Sequence, residues 1–136
     1  MVSDIPNILF VCVENAGRSQ IAEAFFKKYT QKKFNVFSAG TNPSSQVNPL
    51  VVKVMKEIGL DLDDQQPKLL SNNLVENSFK TINMGCMDKE SCPSLFVKDV
   101  LAWNISDPKD KSIDDVRKIC DTIETEVINL IDSLEA

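Results

Sequence analysis

From Ile8 to Phe26 the chain reads ILFVCVENAGRSQIAEAFF, and this run constrains the fold more than any other. Ile8 to Val11 is a short, continuous apolar segment of the kind buried in parallel sheets, whereas Ile21, Ala22, Phe25 and Phe26 recur at helical spacing. The run predicts a strand, a loop and a helix from about Ser19 to near Thr30. Cys12 falls where the strand gives way to the loop, and Arg18 falls where the helix begins.

Such a loop can turn successive backbone N–H groups inward and cradle an anion, with the positive end of the helix dipole behind it. Val13, Glu14, Asn15, Ala16, Gly17, Arg18 and Ser19 are therefore the candidate oxyanion-binding segment. Cys12, at the floor of the cradle, reads as a thiolate nucleophile. Arg18 offers a planar fork of donors to two oxygens of a tetrahedral oxyanion. Ser19 is expected to cap the helix, and its hydroxyl can also donate to the Cys12 sulfur. Asn15 is expected to bond loop backbone, and Gly17 to adopt positive φ where the chain turns tightly. A Cys and an Arg at this spacing also arise by chance. The apolar strand before them, Gly17 between them and the Ala-rich helix after them favour the functional reading.

The remaining chain continues the alternation. A strand is expected over Phe34 to Ala39, closed by Gly40. Asn48-Pro49 then opens a helix with an apolar face of Leu50, Val51, Val54, Met55 and Ile58, stopped at Gly59. Asp61 to Pro67 reads as loop, and Leu69 to Val75 as at most a short helix. Strands are expected at Phe79 to Met84 and Val97 to Trp103. A long final helix follows, with Ser112 and Asp115 resembling a capping box and a stripe from Val116 to Leu134 at helical spacing. Strands alternating with helices imply an α/β fold whose parallel sheet is covered by helices on both faces. Ligands in such sheets sit at the carboxyl ends of strands. That rule brings Cys12, Cys86 and the loop carrying Asp107 to one edge.

With 136 residues the chain fits one domain, residues 1–136, able to bury a core without staples. A formal charge of -5 argues against a nucleic-acid partner, so any anion affinity is local. No apolar run approaches membrane-spanning length, and Met1 to Pro6 lacks signal-like features, which makes a cytoplasmic location the expectation. The sequence contains no histidine, which excludes Cys-His and Ser-His-Asp constellations. No metal or cofactor is expected, and acid or base chemistry must come from a carboxylate or a thiol.

Four cysteines in such a chain read as chemistry or core filling rather than as a disulfide framework. Cys120, on the buried stripe of the last helix, reads as a small hydrophobe. Cys86 and Cys92 lie in the polar run MGCMDKESCP. They read as a redox pair on a loop, as half of a zinc site, or as two unrelated thiols. Asp107-Pro108 is either a turn or helix cap, or the place where Asp107 acts as general acid toward a leaving oxygen.

Taken together, VCVENAGRSQIAE, Ser38-Ala39-Gly40-Thr41, Met84-Gly85-Cys86 with Cys92-Pro93, and Trp103 with Asp107-Pro108 give a resemblance that runs nearly end to end. The chain resembles the arsenate reductases built on the low-molecular-weight protein tyrosine phosphatase fold, particularly those recycled by thioredoxin. The resemblance implies three layers, with a central four-stranded parallel sheet flanked by helices. It also implies that Cys12 attacks arsenate held by the loop and Arg18, while Asp107 protonates the departing oxygen. Cys86 would then attack Cys12 and release arsenite, and Cys92 would attack Cys86 to present a disulfide to thioredoxin or a similar dithiol.

Three features depart from the pattern. Glu14 puts a carboxylate in the anion loop and weakens binding unless it points outward. Gly17 stands where many relatives carry a further Cys, and the Cys86 to Cys92 interval is slightly short. The same fold offers a rival activity, a phosphatase working through a phosphocysteine. Phosphotyrosine enzymes of this type usually place aromatics after Asp-Pro, where this chain has Lys109. A non-catalytic oxyanion or redox sensor is the third reading.

Overall fold

The computed structural model describes residues 5–31, 33–85 and 100–135. Its strands are β1 (Asn7–Cys12), β2 (Asn35–Gly40), β3 (Lys80–Asn83) and β4 (Val100–Ala102), and its helices are α1 (Arg18–Thr30), α2 (Pro49–Glu57), α3 (Asn72–Glu76) and α4 (Ile113–Glu135). All strand pairings are parallel, in the order β2-β1-β3-β4. Cys12 lies beside Gly40, Val11 beside Asn83, and Asn83 beside Ala102. The carboxyl ends thus meet at one edge. The chain order reverses between β1 and β3, so the crevice typical of such sheets opens directly above Cys12.

The pleat explains the two faces. Ile8, Phe10 and Cys12 alternate with Leu9 and Val11, and every one of them is buried. Ile8, Phe10 and Ile82 face the larger core, where the apolar stripes of α1, α2 and α4 cover them. Leu9, Val11 and Ala39 face a smaller cluster closed by Val75 of α3. The sheet therefore has helices on both faces, as the sequence pattern implies, but with very unequal cover. Phe10 anchors the larger side, with Phe26 and Trp103 at ring-centroid distances of 5.7 and 5.8 Å.

The expected caps are present. Asn48 accepts from the Leu50 N–H at 2.9 Å with Pro49 at the first helical position, and Ser112 accepts from the Asp115 N–H at 3.2 Å. The buried stripe of α4 runs from Val116 to Ile131, with Leu134 partly buried. Other expectations need correction. Ser19 is not a cap: it lies inside α1, Gly17 is the N-cap residue, and no side chain caps this helix. Ile58 falls beyond the end of α2 and is exposed. Phe79 precedes β3 and is exposed, although its N–H still donates to the Asn7 carbonyl. Among the described residues no helix is long and apolar enough to cross a membrane.

Candidate active site

The loop from Cys12 to Arg18 is held open from outside. The amides of Thr41, Asn42, Ser44 and Asn48 donate to the carbonyls of Cys12, Val13, Glu14 and Ala16 at 3.3, 2.8, 3.0 and 2.8 Å. With its carbonyls drawn toward residues 41–48, the loop turns its N–H groups the other way. Among the described residues none of the backbone N–H groups of residues 13–18 donates to a protein acceptor. Six successive amides at a helix N-terminus form the anion cradle anticipated from the sequence.

Asn15 is fully buried and fixes the shape of this cradle. Its Oδ1 accepts from the Lys68 N–H at 2.8 Å and from Gln20 Nε2 at 3.1 Å. A backbone N–H can only donate, so that oxygen assignment is forced and the amide nitrogen points the other way. Asn15 Nδ2 accordingly donates to Ser19 Oγ at 2.6 Å. The Ser19 hydroxyl, which keeps its own proton to donate, lies 2.9 Å from Cys12 Sγ. A chain of hydrogen bonds thus runs from Lys68 through Asn15 and Ser19 to the sulfur.

The positive φ of the loop belongs to Asn15, at 52°, and not to Gly17, whose φ is -143°. Asn tolerates this conformation better than other side-chain residues. Gly17 is needed for another reason. A Cβ there would lie 2.6 Å from Pro108 Cγ, so Gly17 lets the Asp107 loop settle on the cradle. A similar close approach operates at Gly85, where a Cβ would meet the Arg18 guanidinium at 2.5 Å. Arg18 lies flat against this bare backbone, donating from Nη1 to the Ile105 carbonyl at 3.2 Å.

Asp107 takes the turn role considered for it and also stands beside Arg18. Its Oδ1 accepts from the Lys109 N–H at 3.0 Å, which makes an Asx turn, while Oδ2 lies 3.5 Å from Arg18 Nη2. Glu14 lines the same cavity and pairs with Lys109 Nζ at 3.0 Å. This bond, more than the general field of Glu14, raises the Lys109 pKa. Cys12, Arg18, Ser44, Asn48, Asp107 and Lys109 are among the residues that enclose a cavity of about 190 Å³. That volume is below the roughly 300 Å³ at which pockets for organic ligands begin. Cys12, Arg18 and Asp107 are therefore brought together, whereas Cys86 and Cys92 lie outside the described residues. Sequence reasoning missed Gln20 and Lys68, which hold Asn15 from elsewhere in the chain. Among the described residues no three His, Cys, Asp or Glu side chains converge as a metal site.

A cysteine under an amide cradle at the end of the first strand of a four-stranded parallel sheet defines a class of oxyanion-handling enzymes. Residues 7–136 match the low molecular weight phosphotyrosine protein phosphatases, and the chain belongs to that family. It is similar to the arsenate reductase of Staphylococcus aureus strain Newman, 33% identical over 124 residues that cover 90% of this chain and 93% of the relative. Among solved structures, the thioredoxin-dependent arsenate reductase of Corynebacterium glutamicum matches with a TM-score of 0.84 and 36% identity over 99% of this chain. This chain spans 64% of that protein's length. The YwlE arginine phosphatase matches with a TM-score of 0.85 and 26% identity, covering 95% of each chain.

Proposed function

We propose that this chain is an arsenate reductase working through three cysteines. Arsenate enters the cradle with its oxygens on the loop N–H groups and Arg18. The Cys12 thiolate attacks arsenic, and one oxygen leaves as water after receiving a proton from Asp107. Cys86 then attacks the Cys12 sulfur. The electron pair of the sulfur–arsenic bond passes to arsenic, reducing it from the +5 to the +3 state, and arsenite departs as a Cys12–Cys86 disulfide forms. Cys92 attacks Cys86 in turn, which frees Cys12 and leaves a Cys86–Cys92 disulfide for thioredoxin or a similar dithiol to reduce.

The observation that carries the oxyanion chemistry is the convergence of Cys12, Arg18 and Asp107 on one small cavity, with Ser19 against the Cys12 sulfur. Reduction is favoured over ester hydrolysis by the two further cysteines in the sequence, the first of which directly follows Gly85, and by the likeness to the Staphylococcus aureus enzyme. The second reading, a phosphatase with a phosphocysteine intermediate, draws on the same cradle and on the likeness to the arginine phosphatase. An oxyanion or redox sensor would use the cradle without turnover.

The test is NADPH consumption with thioredoxin, thioredoxin reductase and arsenate, run beside hydrolysis of para-nitrophenyl phosphate. Arsenate-dependent oxidation that stops in Cys86→Ser supports the reductase. Ester hydrolysis indifferent to Cys86 and Cys92, with no arsenate turnover, establishes the phosphatase. Stoichiometric oxidation without recycling establishes the sensor.

A further inference from the structure

Three consecutive residues of the loop after β4 lie along the cradle. Asp107 faces Arg18 at 3.5 Å, Pro108 fills the space that Gly17 leaves open, and Lys109 pairs with Glu14 at 3.0 Å. The first two contacts are with the start of α1. The third joins two residues that both line the cavity, 95 residues apart in sequence.

We propose that the Glu14–Lys109 ion pair is a specificity device that disfavours bulky esters and keeps the site for a free tetrahedral oxyanion. The proposal rests on the arsenate reductase reading and names the residues that separate it from ester hydrolysis. Two physical effects act together. Sterically, the joined side chains of Glu14 and Lys109 take up lining space that an ester group on the fourth oxygen would need, whereas a free oxyanion needs less of the cavity of about 190 Å³. Electrostatically, Glu14 beside an incoming anion is repulsive, and Lys109 cancels it. The groups facing Lys109 are the carboxylates of Glu14, Asp110 and Asp107, so among the described residues that line the cavity removing the lysine leaves Arg18 as the cation facing Glu14 and Asp107.

The pair is partly exposed, with side chains 59% and 33% accessible. Surface pairs of this kind change an equilibrium by a factor of about five at most, so the device biases the choice of substrate without dictating it. The test uses Glu14→Gln, Lys109→Gln and the double variant, with two readouts. The first is protection of Cys12 from iodoacetamide by inorganic phosphate, followed by peptide mass spectrometry. The second is the ratio of para-nitrophenyl phosphate hydrolysis to arsenate reduction.

Lys109→Gln should weaken phosphate protection about threefold to fivefold, and the double variant should return to near the wild-type value. All three variants should raise the ester-to-arsenate ratio by a similar factor. An unchanged ratio in all three overturns the proposal. A Lys109→Gln defect that persists undiminished beside Glu14→Gln also overturns it, because Lys109 would then act on the ligand by itself. If wild-type protein reduces no arsenate at all, the functional reading fails separately. The phosphate-protection cycle and the change in ester rate still report on the pair.

Discussion

Cys12 and Cys120 are equally inaccessible, each 2% exposed, and their surroundings could hardly differ more. Around Cys12 the Ser19 hydroxyl lies 2.9 Å from the sulfur, and among the described residues the amides of residues 13–18 have no protein acceptor. Cys120 lies on the apolar stripe of α4, where burial, followed by the nearby Asp121 and Glu124, pushes its thiol up to about 12. Removal from water alone makes a thiol inert. Reactivity requires that the groups replacing water be donors and positive dipoles already aimed at the sulfur.

The sharpest way to break this contrast is substitution at the two sulfurs. Cys12→Ser should lower arsenate and ester turnover by at least ~10³-fold, while Cys120→Ser leaves both rates essentially unchanged. Equal losses in the two variants, measured by steady-state kinetics, would erase the distinction. Gly85→Ala comes next, because the added methyl has to displace the Arg18 guanidinium. A misplacement of this size should cost about 100-fold in kcat/KM, with the fold intact by circular dichroism.

Ser19→Ala removes the donor that faces the nucleophile, and losing such a hydrogen bond to a charged group should slow Cys12 alkylation at pH 7 by about tenfold. Alkylation at the wild-type rate would show that the amides alone hold the thiolate. The smallest effect concerns Cys120 and stability. Its folded pKa lies above the ordinary 9.0, so the unfolded chain loses this proton first. The stability linked to this group is complete below pH 9 and is lost as pH rises toward about 12. Urea titrations across that window should give a shallower decline for Cys120→Ala than for wild type, offset by roughly 1 kcal/mol of lost packing at neutral pH.

The same contrast explains what the sequence could reveal. The stripe of α4 and the strand-loop-helix around Cys12 are local patterns, and both appear in the fold where periodicity puts them. The details of the cradle are not local. Positive φ belongs to Asn15 because Lys68, 53 residues away, and Gln20 pin its side chain. Glycine chemistry alone points to Gly17, whose bareness in fact serves Pro108. Ser19 looks like a cap because it stands near a helix start, yet its hydroxyl is claimed by Asn15 and Cys12. The exposure of Glu14 in an anion loop makes sense once Lys109 is seen to arrive from the far end of the sheet. Each of these depends on residues that come together only after the parallel crossovers are made.

The central claim is that the Cys12 cradle passes arsenate's oxidising equivalents to Cys86. The most direct measurement is a single-turnover experiment on Cys92→Ser with excess arsenate and no dithiol reductant, with arsenite quantified and disulfides mapped by mass spectrometry. The account predicts one arsenite per chain, a trapped Cys12–Cys86 disulfide and no further reaction. Free Cys12 and Cys86 thiols with no arsenite formed, or continued turnover in this variant, would contradict it.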